Sequence, residues 1–146
     1  MKLFKTFSQK PAEISRAWYL VDASDNNLGR VAVVVANLIS GKNKVTVTPH
    51  VDNGDFVIVV NAAKVGITGD KLTSKKYHRH SGYIGNIKSK SLKELMETNP
   101  ERVITEAVRG MLPKNKLMDA RLARLKVFAG PDHAHAAQTP KKVEVK

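Results

Sequence analysis

The chain of 146 residues contains no cysteine. That excludes disulfides and thiolate metal centres, and it is compatible with a reducing, cytosol-like compartment. No long apolar run is present either: the longest, residues 31–39, is interrupted by Asn37 and falls far short of the ~20 residues that a membrane span needs. Residues 1–10 are mixed polar and basic and hold no apolar stretch of signal-peptide length. A soluble intracellular protein of a single domain is expected, large enough for its own core. No internal repeat and no interdomain linker interrupts it. The most informative absence is of one charge sign: from Lys71 to Lys93 the chain contains no Asp or Glu.

That acid-free block holds Lys71, Lys75, Lys76, Arg79, Lys88, Lys90 and Lys93, so +7 of the formal net charge of +12 sits in under a sixth of the chain. Crowded like charges repel, and a fold tolerates them best where an external polyanion neutralises them. His78 and His80 flank Arg79, and Tyr77 and Tyr83 lie among the cations. Lys and Arg bind phosphates while aromatic and imidazole rings stack on unpaired bases, so this interleaving is an RNA-type signature. An acidic membrane surface would call for a basic amphipathic helix, and Gly82, Gly85, Ser74, Ser81 and Ser89 disfavour one here. No helix-turn-helix or dimerisation heptad argues for duplex DNA.

Periodicity supplies the scaffold. Residues 18–21 read as a short buried strand, and residues 22–27 as a turn. Residues 28–39 carry apolar side chains at the spacing of one helix face, closed by Gly41. Residues 45–48 suggest a second strand. Residues 56–60, apolar at every position, suit a strand buried on both faces of a parallel sheet. Strand, helix, strand is the βαβ pattern. Beyond the basic block, Ser91 can cap a helix through Met96, and Asn99-Pro100 can start another that ends at Pro113. A third helix is expected from Asn115 or Lys116, with Leu117, Met118, Leu122 and Leu125 inward and Arg121 and Arg124 outward. Residues 127–129 suggest a last strand, and the segment from Gln138 is expected to be loosely held.

Three patterns invite chemistry. The alternating His78/His80 and His133/His135 pairs could suggest a metal, but they lack the further carboxylate or thiolate ligands of a zinc site, and Arg79 would repel a dication; phosphate contact, base stacking or local packing fits them better. Residues 66–71 lack the glycine spacing and the Lys-Ser/Thr pair of a phosphate loop, and no helix pattern follows; they read as a tight turn. Asp52 and Asp55 could serve a metal-dependent nuclease, yet beside Asn53-Gly54 they suit a turn. A second basic cluster, Arg109, Lys114, Lys116, Arg121, Arg124 and Lys126, is opposed within its span only by Asp119. The helix start after Pro113, with Lys114 and Lys116 beside it, would offer amides to a phosphate.

The same segments carry a family resemblance. Trp18-Tyr19-Leu20-Val21-Asp22-Ala23, Leu28-Gly29-Arg30, Gly41-Lys42, Pro49-His50-Val51-Asp52-Asn53-Gly54-Asp55 and Thr68-Gly69-Asp70-Lys71 follow in order. Tyr77-His78-Arg79-His80-Ser81-Gly82 and Ala107-Val108-Arg109-Gly110-Met111-Leu112-Pro113-Lys114-Asn115 complete the series. Together they resemble large-subunit ribosomal protein thirteen in its bacterial form, over about residues 18–138. The resemblance implies a three-layer α/β/α fold around a small parallel sheet, with basic RNA-binding extensions. It implies an arm over residues 1–17, one domain over 18–137 and a basic tail over 138–146. It further implies a non-enzymatic constituent of the cytoplasmic ribosome that binds large-subunit rRNA, touches neighbouring large-subunit ribosomal proteins and supports early subunit assembly. No cofactor, metal, membrane or small-molecule substrate belongs to that reading. By the matching motifs, Lys71, Lys75, Lys76, Tyr77, His78, Arg79, His80, Lys88, Arg109, Lys114 and Lys116 would meet RNA. The readings that compete with it are a nuclease using Asp52 and Asp55 and a free-standing nucleic-acid-binding regulator.

Overall fold

A computed structural model describes residues 6–145; Lys146 and the first five residues of the expected arm lie outside the described residues. Four strands form an all-parallel sheet in the order β5-β2-β1-β6: β1 (Trp18–Asp22), β2 (Phe56–Val60), β5 (Leu125–Val127) and β6 (Lys141–Val143). Two further strands, β3 (Lys76–His80) and β4 (Ile87–Ser91), form a separate antiparallel hairpin.

Side chains alternate along a strand, and the two sheet faces are covered differently. Val21, Val57, Val59 and Leu125 face one way and are buried with Val31, Val35 and Ile39 of α1 (Leu28–Ser40) and Ile104 and Val108 of α4 (Pro100–Met111). On the other face Trp18 stacks on Phe56, ring centroids 4.4 Å apart, and His135 tilts over Trp18 at 5.3 Å. That outer layer is thin, built from residues 128–140 and the short 3-10 turn Ala136–Gln138. The architecture is the expected α/β/α arrangement with helices flanking a parallel sheet. His133 and His135 serve it by packing near Phe128, and no group of three or more potential metal-binding side chains occurs among the described residues.

Local signals place the elements. Gly41 ends α1 in the left-handed conformation, φ 74°, as its position after the apolar stripe predicts. Ser91 and Glu94 form a reciprocal capping box at the start of α3 (Leu92–Thr98), and the Asn99 side chain caps α4 ahead of Pro100. Asp22 accepts from the Ser24 amide, the Ser24 hydroxyl and the Asn61 amide side chain at 2.7–2.9 Å. The Asn61 hydrogen bond, aided by those from Ser24 and the charge of Lys64, outweighs burial and holds the Asp22 carboxyl below its ordinary value.

Several expectations need correction. Residues 45–48 are not a strand: Val45 and Val47 are exposed, so the segment has no apolar face to bury. Turns close it instead, with the Lys44 amide donating to Gly41 and the Val47 amide to Lys44. One helical turn, α2 (Lys71–Ser74), does follow residues 66–71, held by the Thr73 and Ser74 hydroxyls on the Asp70 carbonyl. The third helix, α5, starts only at Met118 and ends at Ala123, because the Asn115 side chain takes the Leu117 amide into a turn. A six-residue helix with no side-chain cap is a poor phosphate site, so the amide cradle expected after Pro113 does not form. The strand expected over residues 127–129 forms two residues earlier, as β5, and is not the last of the sheet: within the segment expected to be a loose tail, residues 141–143 pair with β1 as β6.

Candidate nucleic-acid interface

The acid-free block folds as a lever on the domain. β3 and β4 pair with Tyr77 opposite Lys90, His78 opposite Ser89 and Arg79 opposite Lys88. Residues directly opposite in an antiparallel pair share a face, so Tyr77, Arg79, Lys88 and Lys90 lie together on one side. Lys76, His78 and His80 lie on the other, where the His78 Nδ1 is 2.7 Å from the Ser89 hydroxyl. At the root of the hairpin Tyr77 packs against Leu92, Leu95 and Val103. Its hydroxyl is buried without a hydrogen-bond partner, and the Lys75 ammonium sits 5.3 Å from its ring centroid. Tyr77 therefore anchors the hairpin to α3 and α4 and is not a free stacking platform.

Cations converge around this anchor. Arg79, Lys88 and Lys90 border a recess with Leu95 and Arg102, the last contributed by α4. Lys71 and Lys75 border a second recess with Ile67, Leu92 and Gly110. Arg109 and Lys114 border a third with Asn115 and Met118. The second and third share Glu106 and Gly110, so cations some 40 positions apart in sequence edge one continuous surface. Lys116 is exposed and borders none of these recesses. Lys90 and Arg102 border the first recess without having been among the expected RNA-meeting residues, and Arg102 also lies 3.8 Å from Glu106. A period-two reading across the two strands would have found Lys90, since it faces Tyr77; nothing local marks Arg102.

The second basic cluster divides in space. Arg121 and Arg124, expected to face outward, are buried. Asp52 is the reason: the Arg124 guanidinium grips it in bidentate fashion, its Nη2 2.5 Å from Oδ1 and its Nη1 on Oδ2, and Arg121 Nε lies 3.6 Å away. Burial raises the Asp52 pKa, but the Arg124 hydrogen bond and the charges of Arg124, Arg121 and Arg16 outweigh it, so the carboxyl titrates below its ordinary 3.8. Asp55, fully buried, accepts the Lys44 ammonium at 2.6 Å and the Ala17 amide at 2.9 Å. Gly54 lets these loops meet, because a Cβ there would stand 1.6 Å from the Ile39 carbonyl oxygen. Both carboxylates are thus engaged in structural ion pairs: Asp52 ties loop 41–55 to the end of α5, and Asp55 ties Lys44 and Ala17 to the start of β2.

Comparison with known proteins decides the family. The sequence model described as "Ribosomal protein L13" matches residues 16–134. The chain belongs to the ribosomal protein L13 family. The protein "Large ribosomal subunit protein uL13" of Alkalilimnicola ehrlichii is 53% identical to it over 141 residues, which cover 97% of this chain and 99% of that relative. The proteins of the same name from Nitratidesulfovibrio vulgaris and Clostridioides difficile are 53% and 51% identical over 142 residues, with the same coverage. The L13 family comprises structural proteins of the ribosome and not enzymes, in line with Asp52 and Asp55 being committed to ion pairs. The hairpin and the three recesses lie wholly within the residues that match the L13 model. No helix among the described residues is long and apolar enough to cross a membrane.

Proposed function

We propose that the chain is a constituent of the large subunit of the cytoplasmic ribosome that binds large-subunit rRNA through the β3–β4 hairpin and the surface running from Lys71 to Lys114, and that this binding supports early subunit assembly. One observation carries the reading. Arg79 and Lys88 stand directly opposite each other on the hairpin with no acid in the block to separate them. Like charges directly opposed across a ladder destabilise a free hairpin, and a phosphate seated between them converts that repulsion into attraction. Lys71, Lys75, Arg109 and Lys114 extend the same exposed cationic surface, Lys76, His78 and His80 offer a second one on the opposite side of the hairpin, and Lys116 stands exposed apart from the recesses, while Tyr77 contributes as the anchor. Neighbouring large-subunit proteins are the expected further partners.

Counterion release makes the test quantitative. Binding of the full chain to large-subunit rRNA is measured between 50 and 200 mM salt. Each neutralised phosphate contributes about 0.7–0.9 to the slope of log affinity against log salt, so six to ten contacts imply a loss on the order of a thousandfold or more. A complex insensitive to salt would defeat the reading. Tight preference for a duplex DNA site over rRNA would instead favour a free-standing regulator.

A further inference from the structure

The hairpin ends in a feature that charge neutralisation does not require. At its tip Tyr83 is 78% exposed and Ile84 105% exposed. The backbone beneath them is well tied. The Ser81 amide donates to the Asn86 carbonyl, the Asn86 amide to the Tyr83 carbonyl, and the Gly82 amide to the His80 ring at 3.0 Å. Gly82 and Gly85 bracket the two apolar residues at φ of 97° and 75°, a conformation that glycine adopts without the steric cost other residues bear. The fold thus spends two glycines and three hydrogen bonds on holding an aromatic and an aliphatic side chain out in water. Directly behind the tip lies a polar recess of about 440 Å³ lined by Arg79, His80, Ser81, Asn86 and Lys88.

An apolar tip backed by two cations matches a ligand whose flat apolar face and anion lie within one residue of each other. A nucleotide has that form. In an A-form duplex the base faces are stacked inside and the major groove is too deep and narrow for side chains to read, so the available face belongs to an unpaired nucleotide. An apolar pocket on a protein would satisfy Tyr83 and Ile84 but would leave Arg79 and Lys88 without a counter-charge. Resting on the rRNA-binding reading above, we propose that the hairpin tip is a wedge for an unpaired RNA nucleotide: the Tyr83 ring stacks on its base, Ile84 covers the adjoining edge, and Arg79 and Lys88 hold its phosphate. Tyr77 cannot take this role, because its ring is packed on α3 and α4. Stacking tolerates any base, so the wedge selects RNA shape and not sequence.

Two fully base-paired RNA duplexes test it, identical except that one carries a single bulged, unpaired 2-aminopurine. The full chain is expected to bind the bulged RNA more tightly and to change its 2-aminopurine fluorescence. Tyr83→Ala should weaken binding to the bulged RNA by about 5- to 100-fold, abolish the fluorescence change, and leave the salt slope and the thermal unfolding curve as they were. Arg79→Ala should do the reverse, lowering the salt slope on both RNAs while keeping the preference for the bulge. Equal affinity of the unaltered chain for both RNAs, or a Tyr83→Ala variant that keeps the preference, overturns the wedge while a steep salt slope leaves rRNA binding standing. Salt-insensitive binding to both RNAs removes the rRNA reading and the wedge with it. If Tyr83→Ala binds both RNAs as the unaltered chain does yet fails to enter ribosomal subunits, the tip docks on a protein and the wedge is wrong.

Discussion

Arg124 and Arg79 are the same residue type in opposite circumstances. Arg124 is buried, its guanidinium closed on both oxygens of Asp52, and it joins α5 to loop 41–55. Arg79 is exposed on a hairpin strand, opposed by Lys88 and far from any acid in its own segment. The first is a structural rivet and the second a charge without an acid beside it among the described residues. Where an acid from elsewhere in the fold closes on a cation, the cation is withdrawn from binding. The acid-free hairpin retains its charge because no acid among the described residues pairs with it.

Substitutions that exchange these two roles should separate stability from RNA binding. The largest expected loss of stability is at the rivet. Arg124→Ala leaves the Asp52 carboxylate partly buried, with Arg121 and Arg16 as its remaining nearby cations, and should cost about 3–5 kcal/mol, read by urea denaturation. Any protein that remains folded should bind rRNA with an unchanged salt slope. Gly54→Ala forces a Cβ onto the Ile39 carbonyl and should cost on the order of 3 kcal/mol through backbone displacement; a loss below about 1 kcal/mol would mean the loop can shift freely.

Acid should loosen the rivet. The Asp52 carboxyl titrates lower in the folded chain than its ordinary 3.8, so its contribution is fully present above that value and fades as pH falls through the folded pKa. Stability measured from pH 5 down to pH 2 should drop, and Asp52→Asn should flatten the drop while lowering stability at neutral pH. At the capping box, Ser91→Ala should cost about 1 kcal/mol, a modest loosening of α3 visible in thermal unfolding. Smallest of all, the paired Arg79→Ala and Lys88→Ala substitution should move stability by no more than about 0.5 kcal/mol. Its effect belongs to binding, where the salt slope should fall by about 0.7–0.9 for the one phosphate the pair holds.

The division between rivet and free charge also marks how far the sequence could be read. α1, β2, the Ser91 and Asn99 caps and the Gly41 terminus were legible because each depends on a periodicity or a residue within one turn of the element it shapes. The acid-free block was legible as a concentration of charge because an absence of acids is visible without a fold. Arg121 and Arg124 were not, since their partner Asp52 lies some 70 residues away and only the tertiary structure brings it near. The same holds for β6, whose Lys-Lys-Val has no strand signature of its own and is ordered by the ladder that β1 offers. Tyr77 and Tyr83 looked equivalent in the chain; the register of the hairpin and the packing of α3 turned one into an anchor and left the other exposed.

The pairing of β6 with β1 has a consequence in time. The hairpin joins residues at most 15 apart, from Lys76 to Ser91, and closures of this kind take about 1–10 μs. The sheet joins Tyr19 to Lys141 and must wait until almost the whole chain has left its own ribosome, a matter of seconds at typical elongation rates. All residues of the cationic hairpin are therefore in hand long before those of the platform that carries it. During those seconds the emerging polypeptide presents its acid-free block while the first strand still waits for its last neighbour.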